Sequence, residues 1–254
     1  LVAWIILSAL ALMSLSRNAL WKDDIMLLQD GVAKSLKKPR VLVNLGAAYN
    51  AAHRYGDAID IISRVLELYR DDAIGSVEEA EAYHSLAYAI RGMAYKNRGQ
   101  YSHALDDFTA AIVLDPSAFS PFLHRGNVYG DMGRLDRALD DYNTALSLNP
   151  SWVEVYSNRG LLYGELGRFD QALEDFNMAI TLNPDFVEAY NNRGPVFEVL
   201  GWYEQAIDDY GKAIALQPDY YLTYSNRATA FAKTGRMNEA IADHTRALSL
   251  NADF

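Results

Sequence analysis

Residues 153–186 read VEVYSNRGLLYGELGRFDQALEDFNMAITLNPDF. Within them the order is aromatic-x-x-Arg-Gly-x-x-aromatic (Tyr156, Arg159, Gly160, Tyr163), then Gly167, Ala172, Phe176 and finally Asn183-Pro184. The same order returns on either side across residues 119–218. Pro116, Pro150, Pro184 and Pro218 stand 34 residues apart. A fixed period of this length means that one supersecondary unit is repeated along the chain.

Six such units occupy residues 39–72, 85–118, 119–152, 153–186, 187–220 and 221–254. The eighth position is Gly46, Gly92, Gly126, Gly160, Gly194 and Ala228. The eleventh is Tyr49, Tyr95, Tyr129, Tyr163, Phe197 and Phe231. The twentieth is alanine throughout, and the twenty-fourth is Ile62, Phe108, Tyr142, Phe176, Tyr210 and His244. Small residues facing large ones let two helices interdigitate at close range. Each loop proline ends the helix before it, because proline disfavours helix in the preceding residue.

The period and these residue types resemble the tetratricopeptide repeat (TPR). The resemblance implies an all-α, helix–turn–helix solenoid wound as a right-handed superhelix. It covers residues 39–254 apart from an insertion at 73–84, AIGSVEEAEAYH. Ser76 with Glu79 makes a capping-box pattern, which predicts a helix starting near Val77 and running on into the second repeat. The insertion is either a lateral docking feature or a tolerated one. The last residue of the sixth repeat, Phe254, sits on a repeat boundary without a polar cap, so further chain or a partner is expected to cover that end.

Arginine fills the seventh position of five repeats (Arg91, Arg125, Arg159, Arg193, Arg227). Aspartate fills the twenty-third of the same five (Asp107, Asp141, Asp175, Asp209, Asp243). The first repeat has Leu45 and Ile61 instead, and this joint exchange predicts that the two positions touch inside a repeat, as a structural ion-pair ladder. The neighbouring acidic residues, such as Asp140 beside Asp141, recur at the repeat period and read as repeat positions.

Composition narrows the chemistry. Without cysteine there is no disulfide, thiolate metal site or thiol nucleophile. The five histidines (53, 84, 103, 124, 244) form no zinc-ligand spacing. No phosphate-cradling glycine loop, nucleophile elbow or Ser/His/Asp set is present. The sequence therefore predicts no catalytic residue, no metal and no cofactor. The net charge is −10, with +3 on residues 17–40 and −13 on residues 41–254, and the acidic repeats argue against nucleic acid as a partner by phosphate repulsion.

A protein partner is the remaining class. In TPR solenoids, first helices line a concave face that holds extended peptides or helices. The sixth position lies near that face and is Asn44, Ile90, His124, Asn158, Asn192 and Asn226. An asparagine side chain both donates and accepts, so a row of them can satisfy a peptide backbone. The row is similar to the asparagine ladder of the O-linked N-acetylglucosamine transferase superhelix. With Asn127 added, Asn44, His124, Asn158, Asn192 and Asn226 form the candidate partner-binding set. Asn127 and Asn158 also match two asparagines of the carboxylate clamp in chaperone-tail receptors. However, Leu123, Glu188 and Asn192 replace its cations, and Glu188 would repel a C-terminal carboxylate. Pro195 falls inside a first helix, where it is expected to kink the helix and free the Asn191 carbonyl near the groove.

The N-terminal residues differ in kind. Residues 1–16, LVAWIILSALALMSLS, are uncharged and would span about 24 Å as a helix, against a hydrocarbon core of about 30 Å. Because the chain starts at Leu1, they are expected to be the C-terminal part of a transmembrane helix, with Arg17 and Trp21 at its interface. Residues 17–38 are expected to form a juxtamembrane helix or half repeat. Residues 17–40 carry six basic and three acidic groups. That collar suits anionic headgroups or is simply solvated. It favours a cytoplasmic solenoid by the positive-inside rule.

The junction Arg17-Asn18, Trp21, Asp23, Lys34-Ser35 and Asn44-Leu45-Gly46 resembles that of bacterial transmembrane-and-TPR mannosyltransferases, with Leu36 in place of their proline. That resemblance implies the opposite, extracytoplasmic side. Two functions follow. One is a membrane-anchored scaffold that assembles a membrane complex through its groove. The other is the non-catalytic tail of a multi-pass glycosyltransferase lying upstream.

Overall fold

The computed structural model describes residues 39–70 and 77–251. They form twelve helices and, among the described residues, no strand. These are α1 (Pro39–Ala51), α2 (Tyr55–Arg70), α3 (Val77–Asn97), α4 (Tyr101–Leu114), α5 (Phe119–Asp131) and α6 (Leu135–Leu148). They continue with α7 (Val153–Glu165), α8 (Phe169–Leu182), α9 (Val187–Val199), α10 (Tyr203–Leu216), α11 (Tyr221–Lys233) and α12 (Met237–Leu250). The chain divides into two compact units, one up to Arg134 and one from Leu135. Odd-numbered helices are the first of each repeat and even-numbered ones the second. The helix predicted near Val77 begins at that residue. At 21 residues it is longer than the 13 of the other first helices.

The two helices of a repeat are joined by a turn that only a left-handed residue closes. After α7, Gly167 has φ +70°. Its N–H donates to Gly164 O at 3.0 Å, and the Arg168 N–H reaches back to Tyr163 O at 2.8 Å. These two bonds satisfy carbonyls that the end of the helix would leave unpaired. The first repeat makes the same turn with His53 at φ +59°, the one non-glycine with positive φ among the described residues.

Past the turn, the second helix packs back on the first. A Cβ on Gly160 would lie 2.9 Å from Phe176 Cε1, and one on Gly92 would lie 2.9 Å from Phe108 Cε1. Glycine at position eight thus sets the interhelical distance, and position twenty-four fills the space. Phe108, Phe176 and Tyr210 are fully buried, each contributing about 1.5–3 kcal/mol by burial. The Tyr210 hydroxyl donates to Glu198 Oε1 at 2.6 Å. Burial first, and then Glu198, pushes that phenol's pKa far up.

Position seven ties the repeats. Arg159 Nε and Nη2 meet the two Asp175 carboxylate oxygens at 2.8 and 2.7 Å. The same fork joins Arg91 to Asp107, Arg193 to Asp209 and Arg227 to Asp243. Arg125 and Asp141 fall one in each unit. The guanidinium makes a further bond that the sequence reading did not anticipate. Nη1 donates to the twenty-fifth position of the preceding repeat: Arg91 to Ser63 at 3.0 Å, Arg125 to Thr109 at 3.1 Å, Arg159 to Asn143 at 2.6 Å, and Arg193 to Asn177. Two rings of its own helix flank it, Tyr156 and Tyr163 at 5.7 Å for Arg159.

Burial opposes the Arg91 charge, but the hydrogen bonds and charge of Asp107 outweigh it and hold the guanidinium above its ordinary value. On the other side, burial pushes the Asp107 carboxyl up against the pull of Arg91. The pair therefore mostly offsets its own desolvation, and its worth lies in what its removal would strand.

A second tie runs through the loops. The hydroxyls of Tyr156, Tyr190 and Tyr224 donate to the carbonyls of Pro150, Pro184 and Pro218, each at 3.1 Å.

Among the described residues, no helix is long and apolar enough to cross a membrane. Residues 1–16 and 17–38, which carry the expectations of a transmembrane helix and a half repeat, lie outside the described residues. So do residues 71–76 and 252–254.

Arg227 lacks the cross-repeat acceptor because Gly211 stands at its position, with room for a Cβ 3.8 Å from Arg227 Nη1. Gly211→Asn is expected to raise stability by about 1–2 kcal/mol in guanidinium unfolding, from one charge-assisted bond plus some helix propensity. Gly211→Ala is the control. It gains propensity alone, so an asparagine variant no more stable than the alanine one contradicts the assignment.

Candidate functional site

Within each unit, successive first helices touch: α1 with α3 and α3 with α5, then α7 with α9 and α9 with α11. Successive second helices make no such contact among the described residues. Each unit therefore bends with its first helices on the inner side, and residues on their free face share one surface.

In the first unit the expected row of position-six residues is interrupted. Asn44 is exposed on α1, but its successor Ile90 is buried at 7 % exposure. His124 stacks on Phe108 with ring centroids 5.8 Å apart. Burial first, and then the Lys96 charge, lowers its pKa to about 4, so it is neutral at pH 7. Asn127 lies one helical turn on, half-buried. This unit thus offers two separate polar positions around a histidine held by an aromatic ring.

In the second unit Asn158, Asn192 and Asn226 follow one another on α7, α9 and α11, all half-buried. Asn192 Nδ2 donates to Ser157 Oγ at 3.2 Å. The Thr223 hydroxyl donates to Asn191 Oδ1 at 2.8 Å. These bonds link neighbouring first helices and fix how their side chains face the surface.

Two depressions open beside Asn192. One, of about 300 Å³, is apolar and lies over α7 and α9, with Leu161, Pro195, Val196 and Val199 in its wall and Glu165 at its rim. Leu161 and Val199 remain 43 % and 66 % exposed. The other, of about 280 Å³, is more polar and is bounded by Glu188, Asn191, Gln217 and Tyr220. Asn192 lines both. Gly164 leaves the apolar depression open from the α7 side, since a Cβ there would meet only Val196 Cγ2, at 3.8 Å. Pro195 removes an N–H from α9, which stays helical from Val187 to Val199. Its ring becomes part of the apolar wall. Sequence reasoning missed this depression because exposure at Leu161 and Val199 depends on helix packing. The adjacent apolar residues at Pro195, Val196 and Val199 were the available signal.

No cluster of three or more metal-ligating side chains is present among the described residues. The arrangement presents hydrogen-bonding amides, carboxylates and an apolar recess on one open face. That is the equipment for recognising an extended chain.

Tetratricopeptide repeat models match residues 80–117, 153–186 and 221–254, and a further TPR repeat model matches 126–167 and 199–235. No curated protein sequence matches the chain. Among solved structures, a tetratricopeptide repeat protein from Parabacteroides merdae is similar with a TM-score of 0.65 at 21 % identity. That match covers 83 % of this chain and 79 % of the other. MamA is similar with a TM-score of 0.58 at 23 % identity, covering 64 % of this chain and 95 % of its own. YrrB, described as a TPR protein with an unusual peptide-binding site, is similar with a TM-score of 0.54 at 22 % identity, covering 77 % and 95 %. At these identities the likeness concerns the fold.

The His124 environment has a pH consequence. An unfolded histidine takes up its proton near pH 6.5, whereas the folded one resists until about pH 4. Stability from this site is present above about 6.5 and is lost as pH falls through that window. His124→Asn, the residue that fills this position in four repeats, should flatten the fall in melting temperature between pH 6.5 and 4. Parallel curves for the two proteins would contradict the burial argument.

Proposed function

The chain is built from tetratricopeptide repeats, and on that premise we propose that it is a non-catalytic scaffold holding an extended segment of a partner protein along its first helices. The observation that carries this reading is the position of Asn192. An amide that donates and accepts lies between an apolar and a polar depression on an open face. An extended segment needs that combination, with main-chain hydrogen bonding at regular intervals and a recess for one side chain. Asn158 and Asn226 extend the amide supply to the adjoining helices. Asn44, His124 and Asn127 would serve the first unit in the same way, with His124 as a neutral donor or acceptor.

The proposal includes attachment to a membrane through residues 1–16, supported by their lack of charge and by the basic residues that follow. The two sequence cues to the side of the membrane point in opposite directions. In either function weighed from the sequence, a scaffold subunit or the tail of a membrane glycosyltransferase, these repeats bind protein and perform no chemistry.

The test is peptide selection on the chain followed by affinity measurement with Asn158→Ala combined with Asn192→Ala. Selected peptides are expected to bind the variant at least tenfold more weakly, about 1.4 kcal/mol, while helicity and melting temperature stay nearly unchanged. Unaltered affinity for every selected peptide would mean that the asparagines are bystanders.

A further inference from the structure

Resting on that groove reading, we infer that the partner segment is basic and carries an apolar anchor residue close to its cations. The anchor belongs in the depression over α7 and α9. At about 300 Å³ it is at the small end of ligand sites, suited to one large side chain. Its wall keeps Leu161 at 43 % and Val199 at 66 % exposure in the interior of the array, where an apolar occupant would remove both from water.

Charge selects the rest. The acidic residues of α7 and α9 are Glu154, Glu165, Glu188 and Glu198. The only cations on those helices, Arg159 and Arg193, are both bonded to aspartates. Neither depression has a lysine or arginine in its wall. Glu198 accepts from the buried Tyr210 hydroxyl, which leaves Glu165 at the apolar depression and Glu188 at the polar one, both exposed.

An acidic or C-terminal carboxylate ligand would meet these glutamates without compensation. A lysine or arginine would be attracted to them and would keep its apolar stem along the wall. Asn192 lines both depressions, so the anchor and one cation sit within a few residues of each other. Alternate side chains of an extended segment point the same way, which favours lysine or arginine two residues from the anchor.

Three synthetic peptides on one scaffold test this by fluorescence anisotropy: leucine with lysine flanks, leucine with glutamate flanks, and serine with lysine flanks. The first is expected to bind at least tenfold more tightly than either other, and to weaken with added salt. Val199→Ser should abolish the leucine–serine difference, and Glu165→Gln with Glu188→Gln should abolish the lysine–glutamate difference. Both changes are at exposed positions and leave the fold intact. Equal or tighter binding of the glutamate-flanked or serine peptide overturns the inference. If such a peptide still loses affinity in the Asn158→Ala, Asn192→Ala variant, the groove reading survives and only the ligand chemistry is wrong. If no selected peptide responds to that variant, both fall together.

Discussion

In five of the six repeats a guanidinium at position seven ties neighbouring helices together. Arg159 meets three demands at once. It closes a bidentate pair with the aspartate of its own second helix, it donates to the second helix of the preceding repeat, and two aromatic rings shield it. A planar group with five donors can do this; an ammonium cannot. The bidentate pair is mostly buried, with Asp175 5 % exposed. Its desolvation consumes much of its attraction, so it adds geometry more than net stability. What it fixes is the angle and spacing between neighbouring helix pairs.

The candidate face depends on that spacing. The depression beside Asn192 exists because α7 and α9 sit far enough apart to leave Leu161 and Val199 uncovered, yet close enough for Asn192 to reach Ser157. The arginines stand one residue from the asparagines on the same helices. Ordering one therefore orders the other: the arginine turns inward to its aspartate and the asparagine outward to the face. The same pairing engages Arg159 and Arg193, and it leaves Glu165 and Glu188 as the charged groups lining the two depressions.

Much of this was legible in the sequence because it repeats. The 34-residue period located the helices, glycine at position eight located the close approach, and the joint change at Leu45 and Ile61 pointed to the Arg–Asp contact. Bonds to backbone were not legible, since a carbonyl carries no residue signature; the Tyr156–Pro150 tie is one example. The twenty-fifth position had a readable pattern, with Ser63, Thr109, Asn143 and Asn177 polar and Gly211 the exception, but its partner lay in the next repeat. In the first unit packing buries Ile90 and stacks His124 on Phe108, while Asn44 stays exposed. Equal spacing in sequence gave equal position, but exposure depended on neighbouring side chains.

Arg159 and Asp175 act as one unit. The direct measurement is a double-mutant cycle on stability with Arg159→Leu, Asp175→Leu and both together. Each single change strands a largely buried charge and should cost about 3–5 kcal/mol. The double variant should be more stable than the summed losses require, and close to or above either single one. A double variant as unstable as the two losses added together would mean that the pair is not coupled, and that some other contact sets the register of the repeats.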